Sequence, residues 1–269
     1  MVLAGLCAAP AAALDMRPLP DGATARADAG DIAAAWYVAP TARYDHGILG
    51  DRTEAGGLAV SLRAGSGGAV ELDADLVFED RTPRIADLDG DGRNEVVTIR
   101  TDVDRGAALA IYGMRHGALA LLAATPEIGH THRWLNIAAI HDFDGDGSAE
   151  IAFVRTPHIG GVLEIWSYSV ARLVKRLELP GVSNHAIRSR SLGLSALMDV
   201  DGDGQAELIL PDQTHAALVA VAISAWKARV VGRVRLAARV AGDFGNSGRR
   251  LVMPLASGEK VVLDAADFR

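Results

Sequence analysis

The stretch Ala86–Arg100 reads ADLDGDGRNEVVTIR and places Asp87, Asp89, Asp91 and Glu95 within nine residues. At an effective dielectric near 20, two carboxylates about 4 Å apart repel by roughly 4 kcal/mol. So close a set needs a counter-charge. The pattern returns at His141–Arg155 (HDFDGDGSAEIAFVR) and at Met198–Asp212 (MDVDGDGQAELILPD). A fourth, decayed copy, GDFGNSGRRLVMPL, begins at Gly242, and a fainter echo, DHGILGDRTEAGGLAV, begins at Asp45. Self-similarity at a spacing of about 55 residues is the mark of a repeat architecture.

The spacing D-x-D-G-D-G-x-x-E suits a calcium ion, which takes six to eight oxygens in a flexible shell. Positions one, three and five turn their carboxylates inward, the glycine at six permits the bend, and a main-chain carbonyl at seven adds an oxygen. The first expected ligand set is Asp87, Asp89, Asp91, the carbonyl of Arg93, and Glu95. The second is Asp142, Asp144, Asp146, the carbonyl of Ser148, and Glu150; the third is Asp199, Asp201, Asp203, the carbonyl of Gln205, and Glu207. Three dications would take the formal charge from −7 to −1. Magnesium demands a tighter octahedron, and zinc prefers His or Cys ligands, which these sets lack. An EF-hand is excluded: position twelve, which needs a bidentate Glu, holds Thr98, Phe153 and Leu210, and the runs that follow are strand-like rather than helical.

Each acidic loop lies between a short apolar run (PRIAD, IAAIHD, LSALMD) and a strand-like one (EVVTIR, EIAFVR, ELILP), with two further strand candidates behind. Four strands per unit of roughly 50 residues fits a β-propeller blade. Counting units gives about five, the last short by one strand. The N-terminal run DIAAAWYVAP is expected to supply that strand and close the ring. The fold class is therefore all-β, over residues 31–269.

The N-terminus, MVLAGLCAAPAAALD, is an apolar run ending in small residues, so residues 1–13 are expected to be a signal peptide and 14–30 a linker. Cys7 is the sole cysteine and would leave with the signal, so no disulfide braces the loops. The expected location is the periplasm or the extracellular space. A net charge of −7 without a basic stripe argues against nucleic acid as a partner. No apolar run is long enough to span a membrane.

The loops DLDGDGRNE, DFDGDGSAE and DVDGDGQAE, each followed by a strand, resemble the FG-GAP/VCBS repeats of integrin-α-like propellers. That resemblance, over about residues 44–255, implies calcium held between the first two strands of a blade. This chain carries Glu at position nine where the family pattern has Asp, and the decayed fourth copy is expected to be metal-free. The resemblance says little about activity, since such repeats occur in adhesins, lectin-like modules and polysaccharide-active enzymes.

Antiparallel blades put the remaining loops on the opposite face, where unusual side chains gather. Candidate ligand-binding residues there are Tyr44, His46, Arg84, Arg133, Trp134 and Asn136, together with Arg155, His158, Asn184, His185 and Asp212. Loops are polar in any protein, and Arg or His often pins neighbouring blades, so each of these has a structural reading beside the functional one. No nucleophile elbow, P-loop, zinc-protease helix or dinucleotide fingerprint is present. The sequence points to a calcium-stabilised binding or scaffold module of the cell envelope, with a polar ligand such as a glycan or protein segment. The alternative is a carbohydrate-active hydrolase or lyase using the same loop face.

Overall fold

The computed structural model of the chain describes residue 14, residues 16–247 and residues 249–269. The expected signal peptide lies outside the described residues. The described chain is strands and turns, with one short 3-10 helix at Ala265–Phe268.

The first antiparallel unit comprises β1 (Ala25–Arg26), β2 (Ile32–Thr41), β3 (Glu54–Leu62) and β4 (Gly67–Glu71). In the second, β5 (Leu76–Phe78) and β6 (Arg84–Ala86) lie end to end along one edge of β7 (Glu95–Asp102), followed by β8 (Gly106–Arg115) and β9 (Ala118–Ala124). A single residue pair, Ala55 with Phe78, ties these two units into one sheet. The third unit is β10 (Leu135–His141), β11 (Glu150–Arg155), β12 (Val162–Ser169) and β13 (Arg172–Pro180). The fourth is β14 (Ala196–Met198), β15 (Glu207–Pro211), β16 (Ala217–Ser224) and β17 (Lys227–Arg235). A three-stranded sheet of β18 (Gly245–Asn246), β19 (Arg250–Pro254) and β20 (Lys260–Asp264) ends the series.

Burial follows position in the sheet. The inner strands EVVTIRTD, EIAFVR and ELILP are buried along nearly their whole length, hence their continuous apolar runs. The outer strands β13 and β17 alternate exposed and half-buried side chains. Successive sheets pack face to face. Ile99, Leu109 and Ile111 of the second unit share a core with Leu135, Ile151 and Phe153 of the third. Val154 and Leu163 of the third meet Leu208, Leu210 and Val219 of the fourth. Each such side chain contributes about 1.5–3 kcal/mol on full burial. The outer strands β4, β9, β13 and β17 sit side by side in turn.

The repeat extends to small details. The β8–β9, β12–β13 and β16–β17 ladders each slip by one residue, skipping Leu122, Arg176 and Val231 on the outer strand. Each ladder closes through a two-residue turn with both residues at positive φ: His116–Gly117, Val170–Ala171 and Ala225–Trp226. That is the geometry of a type I′ hairpin, whose twist matches the strands.

Three expectations need correction. The run at residues 31–40 does not complete the last sheet: β2 pairs with β3 in the first unit, and among the described residues no strand pairing joins β20 to the first sheet. The reason is burial. An outer strand has one face in solvent, whereas β2 buries Ile32, Ala34, Ala35, Tyr37 and Val38 from both sides. The echo at Asp45 is not a fifth acidic loop. It lies between β2 and β3, and the short connection at residues 27–31 occupies the acidic-loop position of its unit. There Asp31 Oδ1 accepts the backbone N–H of Asn94 at 2.8 Å. Finally, the expected linker at 14–30 is built in: Leu19 is buried against Tyr37, and β1 pairs with β2.

Candidate functional site

Three acidic loops project from one end of the sheets, each joining the first strand of its unit to the second. Both glycines of every loop take positive φ: Gly90 and Gly92, Gly145 and Gly147, Gly202 and Gly204. A side chain there would be strained. The position-one aspartate folds the loop over itself: Asp87 Oδ2 accepts Gly92 N–H at 2.9 Å, Asp142 Oδ2 accepts Gly147 N–H at 2.9 Å, and Asp199 Oδ2 accepts Gly204 N–H at 3.1 Å. The position-five aspartates Asp91, Asp146 and Asp203 accept the N–H of Arg93, Ser148 and Gln205.

The position-nine glutamates brace the loops from below. Glu95, Glu150 and Glu207 each accept the N–H of the position-two residue, Leu88, Phe143 and Val200, at 2.8–3.0 Å. Burial raises all three, and Glu95, also facing Asp89, Asp91 and Asp87, rises to about 7. Potential ligand oxygens converge in three groups: Asp87, Asp89 and Glu95; Asp142, Asp144 and Asp146; Asp199, Asp201 and Asp203. Asp91, Glu150 and Glu207 fall outside these groups. Glu150 spends its second oxygen on Ser167 Oγ at 3.1 Å.

The test of fit for a cation is whether the cage carries polar atoms that the protein leaves unpaired. It does: Asp87 Oδ1 and Asp89 Oδ1 are buried and have no hydrogen-bond partner. A buried carboxylate oxygen without a partner is costly, and an all-oxygen set of this kind matches a hard cation. In the decayed fourth copy Asp243 is used otherwise, accepting Gly193 N–H at 2.8 Å.

On the opposite face, five of the eleven candidates are committed to structure. Asn136 and Asn184 are fully buried and clasp each other's backbone carbonyls, both at 3.1 Å. Asp212 accepts Thr214 and pairs with Arg233. Arg155 pairs with Glu164 at 2.7 Å on the flank of its sheet. Arg84 pairs with Asp80, which also accepts Tyr37 Oη–H at 3.0 Å. Arg133, half-buried, reaches its neighbour's carbonyl, His132 O.

The other five meet. Tyr44 stacks on His132, ring centroids 5.3 Å apart, and its hydroxyl accepts His132 N–H at 2.8 Å. His46 Nδ1 lies 2.5 Å from Glu79 Oε1, whose other oxygen accepts Thr101 Oγ1–H at 2.8 Å. Trp134 is a buried wedge. Its Nε1–H donates to Glu79 O at 2.9 Å, and its ring lies parallel to His158 and edge-on to His185. Burial holds His46 and His158 at about 4 and His185 at about 3, all uncharged at neutral pH. Burial also pushes Glu79 up to about 8, and burial together with Glu79's charge pushes Glu54 up to about 9. Glu54 and Glu79 are absent from the sequence-based set. Glu79 directly follows the three-residue strand Leu76–Phe78, and no spacing rule marks such a carboxylate as buried. A cleft of about 520 Å³ opens beside this cluster, lined in part by His158, His185, Gln213 and His215.

Residues 83–153 match the family model described as FG-GAP-like repeat, which covers the first two acidic loops. The fold is similar to rhamnogalacturonan lyase YesW, with TM-score 0.54 and 14% identity over 94% of this chain and 53% of that one. Residues 83–153 thus carry FG-GAP-like repeats, on an all-β fold of propeller type. The FG-GAP chain is similar also to the exotype rhamnogalacturonan lyase YesX (TM-score 0.50, 14% identity, 93% of this chain and 51% of that one). A protein from Lactobacillus plantarum is a third likeness (TM-score 0.50, 12% identity, 90% of this chain and 69% of that one). The chain thus spans about half the length of the two lyases, and at these identities the likeness is one of fold. None of the curated proteins matches this FG-GAP chain. Among the described residues no helix is long and apolar enough to cross a membrane.

Proposed function

We propose that this FG-GAP propeller is a calcium-braced binding module of the cell envelope, five blades in the described chain, exported by its N-terminal segment. Three calcium ions are assigned to the three acidic loops, held by Asp87, Asp89 and Glu95 and by the two aspartate trios. The observation that carries the metal reading is the pair of buried, unpartnered oxygens on Asp87 and Asp89. Bound calcium would supply charge neutralisation there and hold the first strand of those three blades to the second.

Binding rather than turnover is supported by the loop face itself. Its cleft histidines His158 and His185 are uncharged and tied into fixed hydrogen bonds beside an open cleft, which suits recognition of a polar ligand. A second reading, a carbohydrate-active hydrolase or lyase, draws on one local observation: Glu79, held protonated by burial, contacts His46, an acid and base pairing. The lyase activity of YesW and YesX adds to that reading only by analogy of fold.

The experiment is a glycan and peptide array probed with the calcium-loaded chain, followed by incubation of each hit with time-resolved product analysis. Retention without consumption of the hit supports the module. Time-dependent cleavage that is abolished by Glu79→Gln overturns it in favour of the enzyme.

A further inference from the structure

The cleft beside Trp134 carries three histidines whose tautomers the hydrogen bonds determine. His185 Nε2 lies 2.9 Å from Ser189 O, an acceptor only, so Nε2 bears the proton. The uncharged ring then presents a bare Nδ1. His158 Nε2 lies 2.8 Å from that Nδ1 and must donate to it. His158 is left with a bare Nδ1.

The third ring follows the same logic. Ser183 Oγ–H donates to His185 O at 3.2 Å, which spends its only hydrogen. His215 Nε2, 2.8 Å from Ser183 Oγ, must therefore donate, and His215 Nδ1 is bare. Burial, with neighbouring imidazoles and Arg239 adding to it, keeps all three rings neutral. Ser183 and Ser189 thus fix two lone pairs, on His158 and His215, in rings that line one cleft.

We propose that this cleft binds an uncharged, hydroxyl-rich ligand, a neutral sugar ring, whose hydroxyls donate to Nδ1 of His158 and Nδ1 of His215. The chemistry of the two bare nitrogens disfavours the near alternatives. A transition metal wants at least three protein ligands, and the third ring, His185, has both nitrogens committed. A carboxylate or phosphate offers acceptors to these two acceptors, and Arg239 on the same lining is the group that would favour an anion, which the galacturonate arm below tests. A sugar offers donors, and its C–H face fits the apolar rim at Ile187, 66% exposed, and Val240. The inference rests on the binding-module reading and names its ligand class.

The test is nitrogen-15 NMR of the histidine side chains in the calcium-loaded chain. The probes are D-galactose, D-mannose and L-rhamnose as neutral sugars and D-galacturonate as the acidic one. Long-range imidazole correlations are expected to show Nε2–H on all three rings. A neutral sugar is expected to move the bare Nδ1 signals of His158 and His215 saturably, and galacturonate to bind more weakly. His215→Phe should weaken the neutral sugar about tenfold, the loss of one hydrogen bond. A proton on Nδ1 of His158 or His215, no saturable shift with any neutral sugar, or preference for galacturonate overturns the proposal. The wild-type spectra decide it even where His215→Phe does not fold. Array hits that bind His215→Phe unchanged would remove this cleft and leave the module standing, whereas cleavage of the hits would remove the module itself.

Discussion

Calcium removal should destabilise the fold, and the first cage should account for the largest part. Its ligand group is the most enclosed of the three: Glu95 is buried and Asp87 and Asp89 are half-buried, whereas the other two trios each have two exposed members. Two of its carboxylate oxygens have no partner in the protein, and each such atom costs about 1–3 kcal/mol when left unpaired. At free calcium ~100-fold above the dissociation constant, one site adds about 2.7 kcal/mol. For a chain of this size that is a shift of about 5–10 °C in melting temperature per site. The assay is thermal unfolding in calcium, in magnesium and in chelator. Asp89→Asn keeps the shape and removes one charge, so it should erase more of the calcium-dependent shift than Asp144→Asn. Equal melting temperatures in calcium and chelator would refute the reasoning, as would an Asp89→Asn chain with a full wild-type response.

Two further outcomes follow from the opposite face and the outer hairpins. Glu54 and Glu79 titrate at about 9 and about 8 in the fold and near 4.5 when unfolded. The folded state therefore holds extra protons above about pH 4.5, and stability falls as pH rises through that window to about 8–9. His46, His158 and His185 act the other way: their lowered values make stability fall as pH drops below about 6.5. The double variant Glu54→Gln, Glu79→Gln, melted in saturating calcium, should gain more at about pH 8 than at about pH 5; an equal gain at both would count against the buried acids. In the β12–β13 turn, Val170 and Ala171 both sit at positive φ, at 49° and 55°. Left-handed conformations cost non-glycine residues about 1–2 kcal/mol each. Val170→Asn with Ala171→Gly should raise the melting temperature by about 2–4 °C for each ~1 kcal/mol recovered, and an unchanged or lower value would show that the turn is not strained.

The acidic loops were legible because everything that makes them is local. Charge spacing, two glycines at positive φ and a carboxylate at position nine lie within one turn of chain. The strand alternation was legible for the same reason: burial on one face or two prints a period of two or a continuous run into the sequence. What misled was the same rule applied at the N-terminus. The run at 31–40 has the small apolar residues of a buried second strand, and only its pairing with β3 distinguishes that place from an outer one.

The sequence by itself determined an all-β repeat with three oxygen cages, since those features depend on neighbours along the chain. Tertiary structure decided which polar residues of the loop face remain available. Asn136 and Asn184 look like ligand residues until the fold brings them together across 48 positions, while Tyr44 finds His132 across 88. The same holds for the bare nitrogens of His158 and His215. A ring's tautomer is set by the group facing it, here the His185 ring for His158 and the Ser183 hydroxyl for His215, each from a different loop, so only the assembled face fixes where the protons lie.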